Sequence, residues 1–193
     1  MSFLNDLITM IIVVNPFSKM LVSATITKEF TKDKVREIIN YSNLIALALI
    51  TFFAIFGPLI FKQFLGISNS ALNIACGLSL GIFGVSYLFK DEIFNVKKNV
   101  EVMYLSIGTP LIVGPASITA ITIISSYSTI LYSLLISTLA IILNYILMVF
   151  STFFLKVTEE NKKLQYIATR VTGLFMLAVG VQFVINGLKL LTF

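Results

Sequence analysis

A chain of 193 residues with 58% apolar residues, 12% charged residues and 17 Phe lies far from the make-up of a water-soluble domain, where roughly a quarter of residues are charged. Its net charge of +5 does not point to nucleic acid, because the basic residues sit in short segments between long apolar runs and not along one stripe. With no His and a single Cys, Cys76 inside an apolar run, the sequence offers no thiolate or imidazole metal site, no Cys-His or Ser-His-Asp catalysis and no disulfide.

The mean hydropathy of +0.98 places the chain in a lipid bilayer. Six apolar runs, each near the ~20 residues needed to cross the hydrocarbon core, fall at about 6–27, 40–61, 70–89, 103–125, 130–155 and 171–190. They are continuous and not alternating, which excludes barrel strands, and an open sheet would leave backbone groups unpaired in lipid. The expectation is an all-α integral membrane protein with six transmembrane helices in one domain, 1–193.

The first run has Asp6 where a signal peptide would carry basic residues, so it is expected to stay in the protein. Asn15-Pro16 then breaks it near its middle. Asn is a favoured N-cap and Pro a favoured first helical residue, so the pair reads as the start of a half-helix. Ser18 follows at the third position, and Lys19 lies about one turn in, either facing a cavity or snorkelling to the interface. Residues 28–39 read as a charged helical extension at the membrane surface before the second run.

Gly77 and Gly84 in the third run are two helical turns apart and make a smooth stripe for close helix packing. The fourth run is broken by Gly114-Pro115, a weaker version of the same cap, with Ser117, Thr119 and Thr122 after it. The sixth run carries Gly173 and Gly180, again seven apart. Asn43, Asn73, Asn144, Gln182 and Asn186 are expected to face the bundle interior and bond between helices, since an unpaired amide in lipid costs several kcal/mol. No Asp or Glu lies deep in any run, so a carboxylate relay is not visible.

The halves repeat one another. Gly77-Leu78 with Gly84-Val85 and Tyr87 lines up with Gly173-Leu174, Gly180-Val181 and Phe183 at a constant offset of 96, and Asn15-Pro16-Phe17-Ser18 has a looser echo in Gly114-Pro115-Ala116-Ser117. The repeats run about 1–96 and 97–193. Eleven basic residues fall in 28–37, 90–101 and 156–170, against Lys62 and Lys189 on the other side. The positive-inside rule therefore puts those segments in the cytoplasm and both termini outside. Three runs per half would insert the second copy upside down, an inverted repeat about an axis in the membrane plane. Both breaks would then meet near mid-membrane with free N–H groups and positive dipole ends facing one space. The candidate solute-binding residues are Asn15, Pro16, Ser18, Lys19, Gly114, Pro115, Ser117 and Thr119.

The run Pro110-Leu111-Ile112-Val113-Gly114-Pro115-Ala116-Ser117-Ile118-Thr119, the Asn15-Pro16 element, Phe56-Gly57, Gly66-Ile67-Ser68 and Gly173-Leu174 leading to Val181-Gln182-Phe183 with Gly187 resemble the MarC family of bacterial inner-membrane proteins. The resemblance implies a six-span protein of the cell inner membrane, related to the LysE-type exporters. The family pattern has Gly at Ser18 and Ala116, an uncharged polar residue at Lys19 and a second Pro near Leu21; the replacements stiffen the breaks and add one charge. Two functional classes follow. One is a secondary transporter or exporter of an unidentified small solute, with an anionic or carboxylate-bearing solute favoured at the helix ends; the other is a non-transporting membrane scaffold or assembly factor. Expected partners are the lipid bilayer and the solute, with no nucleic acid and no cofactor or metal; oligomerisation stays open. No enzyme activity is expected.

Overall fold

The structure is a computed structural model that describes residues 3–16, 19–20, 23, 26–27, 30–89, 113–154 and 159–191, with side chains described outside 153–165 and 168. Every regular element among the described residues is a helix: α1 (Phe3–Val14), α2 (Lys32–Pro58) running into a π-helical stretch (Leu59–Phe64), α3 (Asn69–Phe89), α4 (Pro115–Tyr127), α5 (Ile130–Phe154) and α6 (Glu159–Lys189). Pro16, Lys19, Met20, Ser23 and Ile26 are also helical.

Four stretches are long and apolar enough to cross a membrane: Lys32–Phe64, Asn69–Phe89, Ile130–Thr152 and Thr169–Lys189. By contrast α1 has 12 residues and α4 has 13. At ~1.5 Å per residue each is about 18–20 Å long, well short of a ~30 Å hydrocarbon core.

Two element limits differ from the apolar runs. The charged segment before the second run is the first turns of α2, which begins at Lys32, as the helical extension required. The basic segment 156–170 between the fifth and sixth runs is mostly helix, because α6 starts at Glu159 and runs for 31 residues. Hydropathy marks where lipid begins and not where a helix does. Opposite charges four apart in the sequence, Glu159 and Lys163, favour helix in water as well.

Packing separates lipid-facing from interior residues. Phe64, Ile82, Phe89 and Leu131 stand on the outer surface, while Ser42, Asn43, Asn73 and Asn144 are buried, the distribution that a bilayer selects. The Asn144 Nδ2 donates to Asn43 Oδ1 at 2.8 Å, and Asn43 Nδ2 donates to the Ile39 carbonyl at 2.9 Å. This joins α2 to α5 inside the protein, the interhelical role expected of both amides.

Among the described residues, the closest backbone approach between helices is that of α3 and α6. A Cβ added to Gly77 would lie 2.4 Å from the Gly180 carbonyl oxygen, one on Gly84 2.8 Å from the Gly173 carbonyl oxygen, and one on Gly187 2.8 Å from the Ser70 carbonyl oxygen. The pairs 70 with 187, 77 with 180 and 84 with 173 step by seven in opposite directions, so two antiparallel helices touch backbone to backbone over about four turns. Elsewhere α4 packs on α2, where a Cβ on Gly57 would strike Thr122 Oγ1 at 2.4 Å. It packs also on α3, where Cys76 Sγ donates to the Ala116 carbonyl at 3.5 Å. On α5, Tyr132 meets Phe3 of α1 edge-on at 6.0 Å.

Candidate solute site at the broken helices

The first break lies at Asn15. Its backbone N–H donates to the Ile11 carbonyl at 2.9 Å, closing α1, and its φ of 54° is left-handed, a conformation that Asn adopts more readily than other residues with a Cβ. This corrects the expected N-cap geometry, which is normally extended. Asn15 ends the helix before the break, as a left-handed C-terminal cap does, and Pro16 is helical on the far side. The Asn15 Nδ2 donates to Met176 Sδ of α6 at 3.1 Å.

One turn further on, Lys19 is 3% exposed. Its ammonium group has no hydrogen-bond or ion-pair partner among the described residues. Pro16, Lys19, Ser23 and Ile26 are all buried and recur at helical spacing, so they form one inward face. Ser18 lies outside the described residues.

The second break follows its expectation more closely. Gly114 is extended (φ −83°, ψ 179°) at the N-cap and Pro115 is the first residue of α4. The Ile118 N–H closes the first turn on the Gly114 carbonyl at 3.1 Å. Pro115 is exposed and Gly114 half-buried, whereas Ser117 is buried. Thr119 Oγ1 donates to the Pro115 carbonyl at 2.6 Å and Thr122 Oγ1 to the Ile118 carbonyl at 2.8 Å. Those hydroxyls satisfy their own helix, the commonest role of Thr in a membrane span. The half of the fourth run before the break, 103–112, lies outside the described residues.

Both breaks rest on the α3–α6 pair. Asn15 shares a cavity of ≈ 220 Å³ with Ile11, Ile12, Thr172, Phe175 and Met176, and the Ala116 carbonyl accepts from Cys76. Asn15 thus meets α6 one turn before Gly180, and α4 meets α3 beside Gly77.

One residue escaped the sequence reading. Asp6, read in the sequence only as evidence against a signal peptide, is 3% exposed. Its Oδ1 accepts from the Tyr127 hydroxyl and its Oδ2 from the Tyr132 hydroxyl, each at 2.8 Å. Burial first, and then the hydrogen bond to Asp6, raises the Tyr127 phenol above its ordinary value, which keeps it a donor. A faint signal was present, for Asn5, Asp6 and Thr9 stand one, three and four positions apart on one face of an otherwise apolar run.

The sequence profile of the MarC family, described as integral membrane proteins, matches residues 1–192. The chain belongs to the MarC family. This MarC protein is 28% identical over 187 residues to a UPF0056 membrane protein of Pyrococcus horikoshii, covering 95% of this chain and 92% of the other. It is also 28% identical to a UPF0056 membrane protein of Aquifex aeolicus over 97% of this chain and 92% of that one. A UPF0056 membrane protein of Methanocaldococcus jannaschii is 30% identical, with 92% and 91% covered. No solved structure matches. The family match and the four apolar helices together make this MarC protein an integral, multi-pass membrane protein.

Proposed function

We propose that this MarC protein is a secondary transporter that exports a small anionic or carboxylate-bearing solute across the cell inner membrane. Its site is the space between the Asn15-Pro16 and Gly114-Pro115 breaks. The observation that carries the reading is Lys19: an ammonium group 3% exposed, one turn past a helix break, with no counter-charge among the described residues. Burying such a charge is costly unless a partner arrives. An anion supplies that partner, and helix N-terminal N–H groups add to its attraction.

The architecture behind the proposal is the six-span inverted repeat with both termini outside. Contacts that exchange between halves support it. With an offset of 96, the Gly77–Gly180 contact becomes Gly173–Gly84, which is the other contact of the same seam. Each short helix, α1 and α4, is what a broken span leaves on one side of its break.

The test is binding and flux with purified protein in liposomes, using a series of mono- and dicarboxylates beside matched chlorides. Saturable carboxylate uptake is expected, with affinity reduced about tenfold in Lys19→Gln, the loss of one charge-assisted contact, and more weakly in Asn15→Ala and Ser117→Ala. Uptake of a cationic solute alone, or carboxylate affinity unchanged in all three folded variants, overturns the proposal.

A further inference from the structure

At the far end of α1 from the Asn15 break, Asp6 stands at the wall of a second cavity, of ≈ 280 Å³, formed where α1, α3, α4 and α6 meet. We propose that this cavity binds a small organic ammonium ion, with Asp6 as its counter-charge. The reading does not depend on the transport site at the breaks, from which Asp6 is separated by nine residues of helix, about 13 Å.

Four observations lead there. First, Asp6 is buried and oriented, yet its two partners are neutral phenols, one on each carboxylate oxygen. Each oxygen keeps a further lone pair to accept a third and fourth hydrogen bond. Second, among the described residues no Lys or Arg lines the cavity, so none of them balances the negative charge in its wall. Third, the remaining polar lining is rich in amides: Asn73, Gln182 and Asn186. The Asn73 Nδ2 donates to the Asn69 carbonyl at 2.8 Å and Gln182 Nε2 to Asn186 Oδ1 at 2.9 Å. One N–H of each amide is thereby engaged, and the fixed amides offer their carbonyl oxygens as acceptors for N–H groups. Fourth, Tyr127 and Phe183 bring two aromatic rings to the same wall, and ring faces attract ammonium groups.

Size decides between an inorganic and an organic cation. At roughly 30 Å³ per water, the cavity holds several times the volume of a bare metal ion with one or two waters. A carbon-bearing ammonium of up to about nine heavy atoms fits it, with its charged end on Asp6 and its apolar part against Ile123, Val179 and Phe183.

The experiment uses the full-length protein in lipid nanodiscs and follows its thermal unfolding during titration with ethylammonium chloride, against sodium chloride at equal ionic strength. A saturable rise with ethylammonium is expected, because a ligand of the folded state stabilises it. The half-saturating concentration should rise about tenfold or more in Asp6→Asn, as one charge-assisted contact is removed. Since Asp6→Asn also weakens the tyrosine bonds, Gln182→Leu serves as a second variant; it leaves Asp6 and both phenols in place and should raise the half-saturating concentration as well. Lys19→Gln should leave ammonium binding unchanged, which separates this site from the one at the breaks. No saturable response in the unaltered protein, an equal response to sodium chloride, or unchanged ammonium affinity in both Asp6→Asn and Gln182→Leu overturns the proposal.

Discussion

Buried polar side chains in this bundle do three kinds of work, distinguished by where their hydrogen bonds go. Thr119 and Thr122 bond back to their own helix, so removing a hydroxyl leaves only a carbonyl that already has its ladder bond. Asn43 and Asn144 bond across two helices, and Asp6 gathers two phenols from beyond its own helix. The energetic ranking follows. Thr119→Val should change stability by less than about 0.5 kcal/mol, whereas Asn144→Leu should cost about 1–2 kcal/mol, the upper end of a membrane interhelical hydrogen bond. Detergent-titrated unfolding of the two variants measures both, and equal losses would refute the distinction. At this scale the sequence revealed residue types better than their partners. Pro115 behaves as its chemistry dictates, while Asn15 takes the other of the two roles open to Asn at a helix end. Asp6 was illegible because Tyr127 and Tyr132 are 121 and 126 positions away.

Among the elements, the α3–α6 seam is where a substitution has the clearest sign. A side chain at Gly77 or Gly180 would have to displace main chain, with Cβ positions 2.4 and 2.7 Å from the facing carbonyl oxygens. Gly81, on the same helix as Gly77, has only Leu177 Cδ1 at 4.0 Å. Gly77→Leu and Gly180→Leu should therefore lower the yield of folded protein severely, beyond the ~1–3 kcal/mol of ordinary overpacking, while Gly81→Leu should purify almost normally. Size-exclusion profiles of the three variants decide it; a Gly77→Leu protein that folds well but loses flux would mean that this glycine lines a path instead. The seam was largely legible, since paired glycines seven apart in both halves announce close approach. The true start of α6 was not, because the charged turns before residue 171 carry no hydropathy signal.

For the whole molecule, the distribution of charge makes the strongest statement. Residues 28–37, 90–101 and 156–170 hold eleven of the 14 basic residues, and the proposed orientation, with these segments in the cytoplasm, rests on the positive-inside rule. In a Cys76→Ala background, single cysteines at the termini and near 62–69 and 126–129 should react with an impermeant maleimide from outside, and a cysteine at residue 98 should not. Outside labelling at residue 98 would reverse the orientation and remove the inverted-repeat reading with it. The membrane class, the helical class and the family were all legible from composition and motif order. The approach of the two breaks to a common α3–α6 support was not, since it depends on contacts between halves that no local pattern encodes.

That support also sets an order of events during synthesis. Gly77 and Gly84 leave the ribosome roughly a hundred residues ahead of Gly180, which at ~5–20 residues per second is about 5–20 s. Throughout that interval α3 sits in the membrane with a bare backbone groove and nothing of its own chain to close it. Lipid tails or an insertion partner must occupy the groove meanwhile, and the arrival of α6 displaces them. Closure of this seam thus waits for α6, which acts as the latch on the groove that α3 carries into the membrane.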